Sequence, residues 1–237
     1  MNRKNIVVSG ASKGIGKAIV ERFLAAGFDV AFCARNAKVL NQLKNEYSEK
    51  YPEQKVLAIA CDVSNKEEVE LFAEQVLFEF EAIDILVNNA GIFKPGSVSE
   101  EEDGVFEELI QTNLSSAYHL TRALLPAMVN RKDHSHIFSM CSTASIMAYV
   151  NGGSYCISKF ALLGMTKVLR EELKTQNTLV TAILPGATYT DSWQGSDLPA
   201  ERFIPAEHIA ETVFHCWSMG PHADVEELVI RPRLGDL

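Results

Sequence analysis

The sequence has few cysteines, no long apolar run and no excess of positive charge. The five cysteines of this 237-residue chain are scattered and odd in number, and no Cys-x-x-Cys pair occurs. This usage is typical of reduced, buried thiols, so we expect a reducing compartment, most simply the cytoplasm. The net charge of −9 argues against nucleic acid or an anionic membrane as a partner.

Other signals are missing as well. Residues 1–4 lead straight into an apolar segment without a separate hydrophobic region or cleavage site, so we expect no signal peptide. No apolar run is long enough to span a bilayer. The six histidines show no metal-ligand spacing, and we expect no metal site. No repeat or change in composition divides the chain, which predicts one domain over residues 1–237.

Short apolar runs alternate with helical patterns along the whole chain. Most of these runs are continuous rather than alternating, which is typical of a parallel sheet buried on both faces. The chain is therefore predicted to form a single-domain, Rossmann-type, doubly wound α/β sheet with helices on both faces. The predicted strands are Asn5–Ser9, Asp29–Ala34, Val56–Ala60, Ile83–Asn88, His136–Met140, Leu179–Leu184 and Glu227–Ile230.

Helices are predicted between these strands. One follows the first strand, and others run through about 104–129, 154–174 and 206–218. Ser64 with Glu67 has the spacing of a capping box for a further helix. The acidic run after Ser99, at residues 100–103, is expected to cap a helix and complement its dipole.

One segment lacks a helix or strand pattern. Residues 188–205 follow a strand, and ligands of such sheets bind outside the carboxyl ends of strands, so this segment is a candidate lid over a substrate. Trp193 in this segment either contacts the substrate or packs the loop down.

A glycine-rich loop lies between the first strand and the first helix. Gly10, Gly14 and Gly16 permit a tight turn and let backbone N–H groups approach a pyrophosphate. The helix N-terminus adds partial positive charge toward the phosphates. The spacing is Gly-x-x-x-Gly-x-Gly, and a purely structural turn is the alternative.

The end of the second strand indicates which dinucleotide is bound. An acid there would hydrogen-bond the ribose 2′-hydroxyl of NAD, whereas this chain has Ala34 followed by Arg35. Together with Ser12 and Lys13 of the glycine loop, Arg35 can converge on a 2′-phosphate, which predicts NADP(H). Asp62, after the third strand, suits the adenine amino group, or else it is a turn residue.

The fourth predicted strand ends in small and amide side chains. Residues 89–91, Asn-Ala-Gly, let the backbone approach the adenosine ribose. For Asn88 we favour a scaffolding role over ligand contact, since amides tie neighbouring segments together by bonding backbone groups.

A hydroxyl, a phenol and an ammonium group occur together in mid-chain. Tyr155 and Lys159 are four residues apart and share one helix face. A lysine cation and a positive nicotinamide are expected to lower the pKa of Tyr155 toward neutrality, making it a proton-transfer group. Ser142 follows the fifth strand, where its hydroxyl can hold a substrate oxygen, and Asn113 could bind a water that links Lys159 to solvent.

Taken together, these motifs resemble the short-chain dehydrogenase/reductase family in its classical subdivision, over nearly the whole chain. The resemblance implies a seven-stranded sheet in the order 3-2-1-4-5-6-7 and NADP(H)-dependent transfer of a hydride between nicotinamide and a small carbonyl or alcohol. It implies that Tyr155 is the general acid–base, Lys159 orients the nicotinamide ribose, Ser142 polarises the carbonyl and Asn113 completes a proton relay. The cofactor would contact Gly10, Ser12, Lys13, Gly14, Ile15, Gly16, Arg35, Asp62, Val63, Asn89, Ala90, Gly91, Tyr155, Lys159, Pro185, Gly186, Thr188 and Thr190.

The chain departs from the family pattern at two places, and these leave open which branch of the family it resembles most. Ser9 replaces the usual threonine and keeps the hydroxyl. The C-terminus lacks the glycine-rich ending of 3-oxoacyl-carrier-protein reductases and looks more like those of sepiapterin reductases and NADP-dependent 3-hydroxy acid dehydrogenases. Asp236 is then either a pterin anchor or, as we favour, a frayed terminal acid.

The resemblance also implies a homodimer or homotetramer, paired through the helices at about 104–129 and 154–174. A charge placed at Leu162 or Leu169 would test this interface, unless these side chains are interior. A non-catalytic NADP(H)-binding regulator is the alternative from another functional class, but it predicts a damaged catalytic group, and all four positions are intact.

Overall fold

A computed structural model of the protein describes residues 3–129, 131–190 and 197–236. The strands are β1 Asn5–Ser9, β2 Asp29–Ala34, β3 Val56–Ala60, β4 Ile85–Asn88, β5 Ser135–Met140, β6 Thr178–Pro185 and β7 Glu227–Ile230. They form one sheet in the order β3-β2-β1-β4-β5-β6-β7, with every neighbouring pair parallel. The doubly wound sheet predicted from the sequence, and the strand order implied by the resemblance, are both confirmed.

Helices cover both faces of this sheet. They are α1 Gly14–Ala25, α2 Ala37–Lys50, α3 Lys66–Glu79, α4 Val105–Ile110, α5 Ser116–Leu124, α6 Gly153–Leu173 and α7 Ala206–Ser218. Successive residues of β1 point to opposite layers: Ile6 and Val8 pack in one apolar core and Val7 in the other. This explains why the strand sequences are continuously apolar. Among the described helices, none has the length and apolar content needed to cross a membrane.

The start of α3 differs from the prediction. The expected capping box of Ser64 and Glu67 is wrong, because the helix begins at Lys66 and Asn65 accepts the backbone N–H of Glu68 at 3.2 Å. Ser64 lies one residue before the N-cap position and does not bond the helix. Its N–H and its hydroxyl both donate to Asp62, at 3.0 and 2.7 Å. This local turn moves the cap to the next residue.

Two helical regions were also incompletely predicted. The region at about 104–129 is not one helix: a π-helical turn at Gln111–Ser115 separates α4 from α5, and a 3₁₀ turn follows at Leu125–Ala127. No helix was predicted over α2. That helix buries only Leu40, Leu43 and Tyr47 in a mostly polar segment, so its apolar stripe is narrow.

Candidate active site

The predicted proton-transfer residues meet at the carboxyl edge of the sheet. Tyr155 and Lys159 lie in the first turns of α6, with the Lys159 Nζ 6.0 Å from the centroid of the Tyr155 ring. Ser142 follows β5, and its side chain shares a hydrogen bond with the Tyr155 side chain. The Ser142 hydroxyl also accepts the N–H of Ala144 at 3.1 Å, which caps a short 3₁₀ turn and fixes the serine in place.

The acidity of Tyr155 differs from the expectation. Burial raises the pKa of Tyr155 above its ordinary value, and the hydrogen bond from Ser142 only partly offsets this effect. The expected lowering of the pKa is therefore not found in the chain itself. In this environment Tyr155 carries its proton at neutral pH and can donate it to an oxygen atom.

Lys159 is a buried cation. Its side chain is only 5% exposed, and Nζ donates to the backbone carbonyl of Met140 at 2.9 Å. Burial lowers the pKa of Lys159. A desolvated ammonium group costs folding free energy, and such groups are typical of functional sites.

Asn113 lies in the π-helical turn and is almost fully buried. Its Oδ1 accepts the N–H of Ile92 at 2.8 Å, and its Nδ2 donates to the Ile92 carbonyl and to the Ser158 hydroxyl at 3.0 and 2.9 Å. Because both amide hydrogens are used, a relay water at Asn113 could only donate to Oδ1 or bind the backbone. A Cβ added at Gly91 would lie 3.2 Å from the Asn113 Oδ1 and 3.4 Å from the Lys159 Nζ, so these polar atoms flank one backbone position.

The glycine loop is packed tightly against the end of β4. Gly10 has a φ of +69°, and a Cβ added there would lie only 2.7 Å from the Ala90 Cα. Neither the backbone angle nor the space admits a side chain. Gly14 faces Thr190 and not the end of β4, since an added Cβ would lie 3.1 Å from the Thr190 Cγ2. The loop thus lies between the Asn89–Gly91 segment and Thr190.

Amide and hydroxyl groups tie β1 to β4 beneath this loop. Asn89 donates to the carbonyls of Ser9 and Gly10, each at 2.9 Å. The Ser9 hydroxyl accepts the N–H groups of Asn89 and Ala90, each at 3.1 Å, so serine performs this structural task without the threonine methyl. Asn88 also has a scaffolding contact, but it joins the sheet to α5 by donating to Thr121 at 2.8 Å.

The residues predicted around the adenosine lie at the ends of β2 and β3. Arg35 is exposed directly after β2, and Ser12, Lys13 and Ile15 lie in the glycine loop or the first turn of α1. The pKa of Asp62 is lowered, first by its hydrogen bond from Ser64 and further by the charge of Arg35. Asp62 is thus a turn residue beside Arg35, while adenine contacts by Asp62 and the half-buried Val63 stay predictions.

The chain after β6 is held in place from two sides. The Gly186 N–H donates to the Ile230 carbonyl at 2.7 Å, and the Thr188 hydroxyl donates to the Gly186 carbonyl at 3.0 Å. Thr188 also forms a β-bridge with Ile204, which brings the two described ends of the 188–205 segment together. Pro185 ends β6, and Trp193 lies outside the described residues.

Asp236 is not the frayed acid that we favoured. Its carboxylate pairs with Arg231, and a Cβ added at Gly186 would lie 3.2 Å from its Oδ1. The acid therefore packs back against the turn that follows β6, because it pairs with Arg231, a cation five residues earlier in the chain.

The acidic run after Ser99 caps α6 and not α4, the next helix in the chain. We expected it to cap a helix, and the helix is not α4, which begins at Val105 with Gly104 as its cap. Instead the Glu101 carboxylate accepts the N–H of Ser154 at 2.9 Å and also the Ser154 hydroxyl. Glu101 thereby caps α6, the helix that carries Tyr155, across 53 residues of sequence.

Phe93 is a site residue that the sequence analysis missed. Its ring lies edge-on to the Tyr155 ring, with centroids 4.8 Å apart and planes at 84°. The available signal was an aromatic residue two positions after the Asn89–Gly91 segment, in a loop at the carboxyl edge of the sheet. Loop conformation brings it to Tyr155, and periodicity gives no information about that.

Comparison with known proteins agrees with this geometry. The family described as short chain dehydrogenase matches residues 4–199. A sepiapterin reductase of Chlorobaculum tepidum is 31% identical over 98% of this chain and 97% of its own. A 3beta-hydroxysteroid dehydrogenase 2 of Eggerthella lenta is 35% identical over 83% of this chain and 75% of its own. An alcohol dehydrogenase of the archaeon Thermococcus sibiricus, solved in complex with 5-hydroxy-NADP, superposes with a TM-score of 0.89 at 28% identity, covering 98% of this chain and 97% of that one.

The match to the family spans residues 4–199, well over half of the chain, and solved members of comparable length share the fold. The protein belongs to the short-chain dehydrogenase/reductase family of oxidoreductases.

Proposed function

We propose that this protein is an NADP(H)-dependent oxidoreductase that transfers a hydride between nicotinamide and a carbonyl or alcohol substrate. The observation that carries the proposal is the hydrogen bond between Ser142 and a protonated Tyr155, with the Lys159 ammonium close by and the glycine loop on the same edge of the sheet. A surface tyrosine–lysine pair would have neither the hydroxyl partner nor the buried cation.

The residues present fit a dinucleotide with a 2′-phosphate. Gly10 and Gly14 give the loop its tight turn, with φ values of +69° and +56°, and the first turn of α1, described in full, carries no acidic side chain that would repel a pyrophosphate. Arg35 and Lys13 supply cations where an NAD-binding protein would have an acid. The family relative solved with 5-hydroxy-NADP supports the same assignment.

The chemistry divides between the cofactor and the chain. The nicotinamide supplies the hydride, and the chain's residues position the groups and move a proton. Ser142 holds the carbonyl oxygen by a hydrogen bond, and the Tyr155 hydroxyl gives that oxygen its proton as negative charge develops. Lys159 provides a positive charge that stabilises the resulting phenolate, and Asn113 fixes the Gly91–Ile92 backbone beside it.

The assay that tests this proposal follows NADPH oxidation at the nicotinamide absorbance. The substrate panel contains sepiapterin, diacetyl, benzil and an acetoacetyl thioester. We expect turnover of at least one neutral carbonyl compound, with sepiapterin favoured by the Chlorobaculum relative. NADPH binding with no turnover of any carbonyl would instead support the non-catalytic regulator.

The cofactor preference depends on Arg35. We expect Arg35→Asp to weaken NADPH binding by about 10- to 100-fold, because a charge-assisted contact worth about 1.5–3 kcal/mol is lost. NADH binding should be retained, since an acid at this strand end bonds the ribose hydroxyls. Titration of nicotinamide fluorescence measures both. Lys44→Asp makes the same charge change at an exposed residue of α2 and should leave the preference unchanged. An unaltered preference in Arg35→Asp would refute the role of Arg35.

We also propose a homo-oligomer that pairs through α5 and α6. Ile157, Phe160 and Val168 expose 42–57% of their surface along one face of α6, and a Cβ added at Gly164 would meet no atom within 4 Å. Leu162 is buried inside the protomer, so a charge there would test folding and not the interface.

Phe160→Glu should at least halve the mass measured by light scattering, because it places a charge in the centre of this apolar face. Phe78→Glu is the matched control, the same change at an 88% exposed phenylalanine on α3, outside the proposed interface. The same mass in both variants and the parent protein would exclude this face as the interface.

A further inference from the structure

Four large apolar side chains in the two segments that flank Tyr155 along the site are strongly exposed, and two of them, Phe93 and Tyr149, lie close to Tyr155 itself. Phe93, Ile146, Met147 and Tyr149 expose 44%, 44%, 39% and 43% of their surface. They come from the two segments that flank the site, the loop after β4 and the chain between Ser142 and α6. We call these four residues the apolar wall. Exposed apolar surface grouped at one place marks a binding site, and here it adjoins the Ser142–Tyr155 hydrogen bond.

The apolar wall is held in position by backbone contacts. Ile92 exchanges two hydrogen bonds with the buried Asn113 side chain, which fixes Phe93 against the Tyr155 ring. On the other side, the N–H groups of Ile146 and Met147 both donate to the Thr143 carbonyl, at 3.1 and 3.0 Å. These side chains are thus presented to solvent by a fixed scaffold, as a preformed pocket requires.

Tyr149 is held in the same way. Its carbonyl accepts the Gly152 N–H at 3.0 Å, and its hydroxyl hydrogen-bonds the Cys156 side chain. A Cβ added at Gly152 would lie 3.1 Å from the Tyr149 Cε2, so the ring lies directly over this glycine. Since the hydroxyl already has a partner, the ring presents mainly apolar surface to a ligand.

Charge is missing from the segments that form the wall. Residues 85–93 and 140–158 contain no Asp, Glu, Lys, Arg or His. The nearest flanking charges are engaged: Lys94 pairs with Glu108, and Glu101 is bonded to Ser154. Lys159 is buried, with its Nζ on the Met140 carbonyl. A charged group of a ligand placed against this wall would lose its hydration and would meet no opposite charge from residues 85–93 and 140–158.

We propose that the substrate is a carbonyl compound with no charge on the groups next to the reacting carbon, and with an apolar, preferably aromatic, substituent packed on Phe93 and Tyr149. This inference rests on the proposed function and names the substrate class of the same site. It favours aryl ketones, diketones and neutral fused-ring carbonyls over 2-oxo and 3-oxo acids and the corresponding hydroxy acids.

The test compares methyl phenylglyoxylate with phenylglyoxylate, two aryl ketones that differ in carrying an ester or a carboxylate beside the carbonyl. With NADPH, we expect kcat/KM for the ester to exceed that for the acid by at least about 100-fold, since a desolvated carboxylate lacks a partner here. Equal values, or a preference for the acid, would overturn the proposal.

The contribution of Phe93 is tested separately. Phe93→Ala should raise KM for the aryl ester about 10-fold or more, and raise KM for diacetyl much less, because only the aryl group uses the lost contact. Phe93→Leu should give a smaller change in the same direction. Phe78→Ala removes an 88% exposed phenylalanine on α3 and should change neither KM. Equal changes in KM for the two substrates would refute packing of the aryl group on Phe93.

A binding measurement separates this inference from the proposed function. In the presence of NADPH, the ester should raise the melting temperature of the protein, and the acid at equal concentration should not. If the protein reduces no substrate, but the ester raises its melting temperature and the acid does not, the proposed reaction is wrong and the proposed substrate class is still supported. Stabilisation by the acid alone, or by neither compound, overturns the substrate class.

Discussion

Tyr155→Phe is expected to lower kcat/KM for carbonyl reduction by about 100- to 10,000-fold, the usual contribution of a positioned proton donor. The half-buried side chain is hydrogen-bonded to Ser142, and loss of hydration raises its pKa, so it is protonated at the pH of the assay. Phenylalanine keeps the ring and its edge-on contact with Phe93. The loss should therefore appear in kcat, while NADPH affinity, measured by nicotinamide fluorescence, stays within a few fold.

The matched control is Tyr51→Phe, the same change at a tyrosine that follows α2 and lies outside the site. It should leave kcat/KM unchanged. Turnover in Tyr155→Phe at the parental rate would show that another group donates the proton. An equal loss in both variants would point to a general effect on folding.

The pH dependence follows from the same residue. Because the pKa of Tyr155 is raised, the proton donor is present through neutral pH, and the rate of reduction should be constant there. It should fall only in alkaline solution, as the pH passes the pKa and the donor is lost. Alcohol oxidation needs the phenolate and should change in the opposite direction, which a pair of pH–rate profiles can measure.

Lys159→Met is expected to reduce kcat/KM by at least about 100-fold without a loss of stability. The substitution removes a cation that would stabilise the developing phenolate. It also removes a buried ammonium whose desolvation lowers the pKa of Lys159 and costs folding free energy. The hydrogen bond to the Met140 carbonyl is lost at a cost of about 1 kcal/mol, so the melting temperature should be unchanged or higher.

Lys167→Met is the control on the same helix, where the lysine side chain is 53% exposed and pairs with Glu227. We expect its activity to match the parent and its stability to change by no more than about 0.5 kcal/mol. If Lys159→Met lost activity together with several degrees of melting temperature, its role would be structural.

The sequence predicted most of the fold, because a buried parallel strand has a strong local signature. The predicted bounds of β1, β2, β3 and β7 agree with the structure, and those of the other strands differ by one or two residues. What it missed depends on contacts between distant segments. The π-helical turn at Asn113 and the approach of Phe93 to Tyr155 are set by packing, which a pattern of apolar residues does not encode.

The site residues themselves were predicted from motif spacing, whereas their acidities were not. Spacing shows that Tyr155 and Lys159 share a helix face, but the direction of a pKa shift depends on how much water remains around each group. The buried Leu162 illustrates the same limit: its position on a helix face is clear in the sequence, and which layer that face meets is not.

The hydrogen bonds between Glu101 and Ser154 join the loop after β4 to the first turn of α6, so that the two segments move together. Two hydrogen bonds from Ser154 to the Glu101 carboxylate, and one from the Gly96 N–H to the Asn151 carbonyl, must break before the two segments can separate. At about 1.5 kcal/mol for each bond, the separated form would be on the order of a thousandfold rarer than the joined one. A substrate that displaces this loop therefore also displaces the turn that carries Tyr155, so the wall of the pocket and the proton donor keep their relative positions.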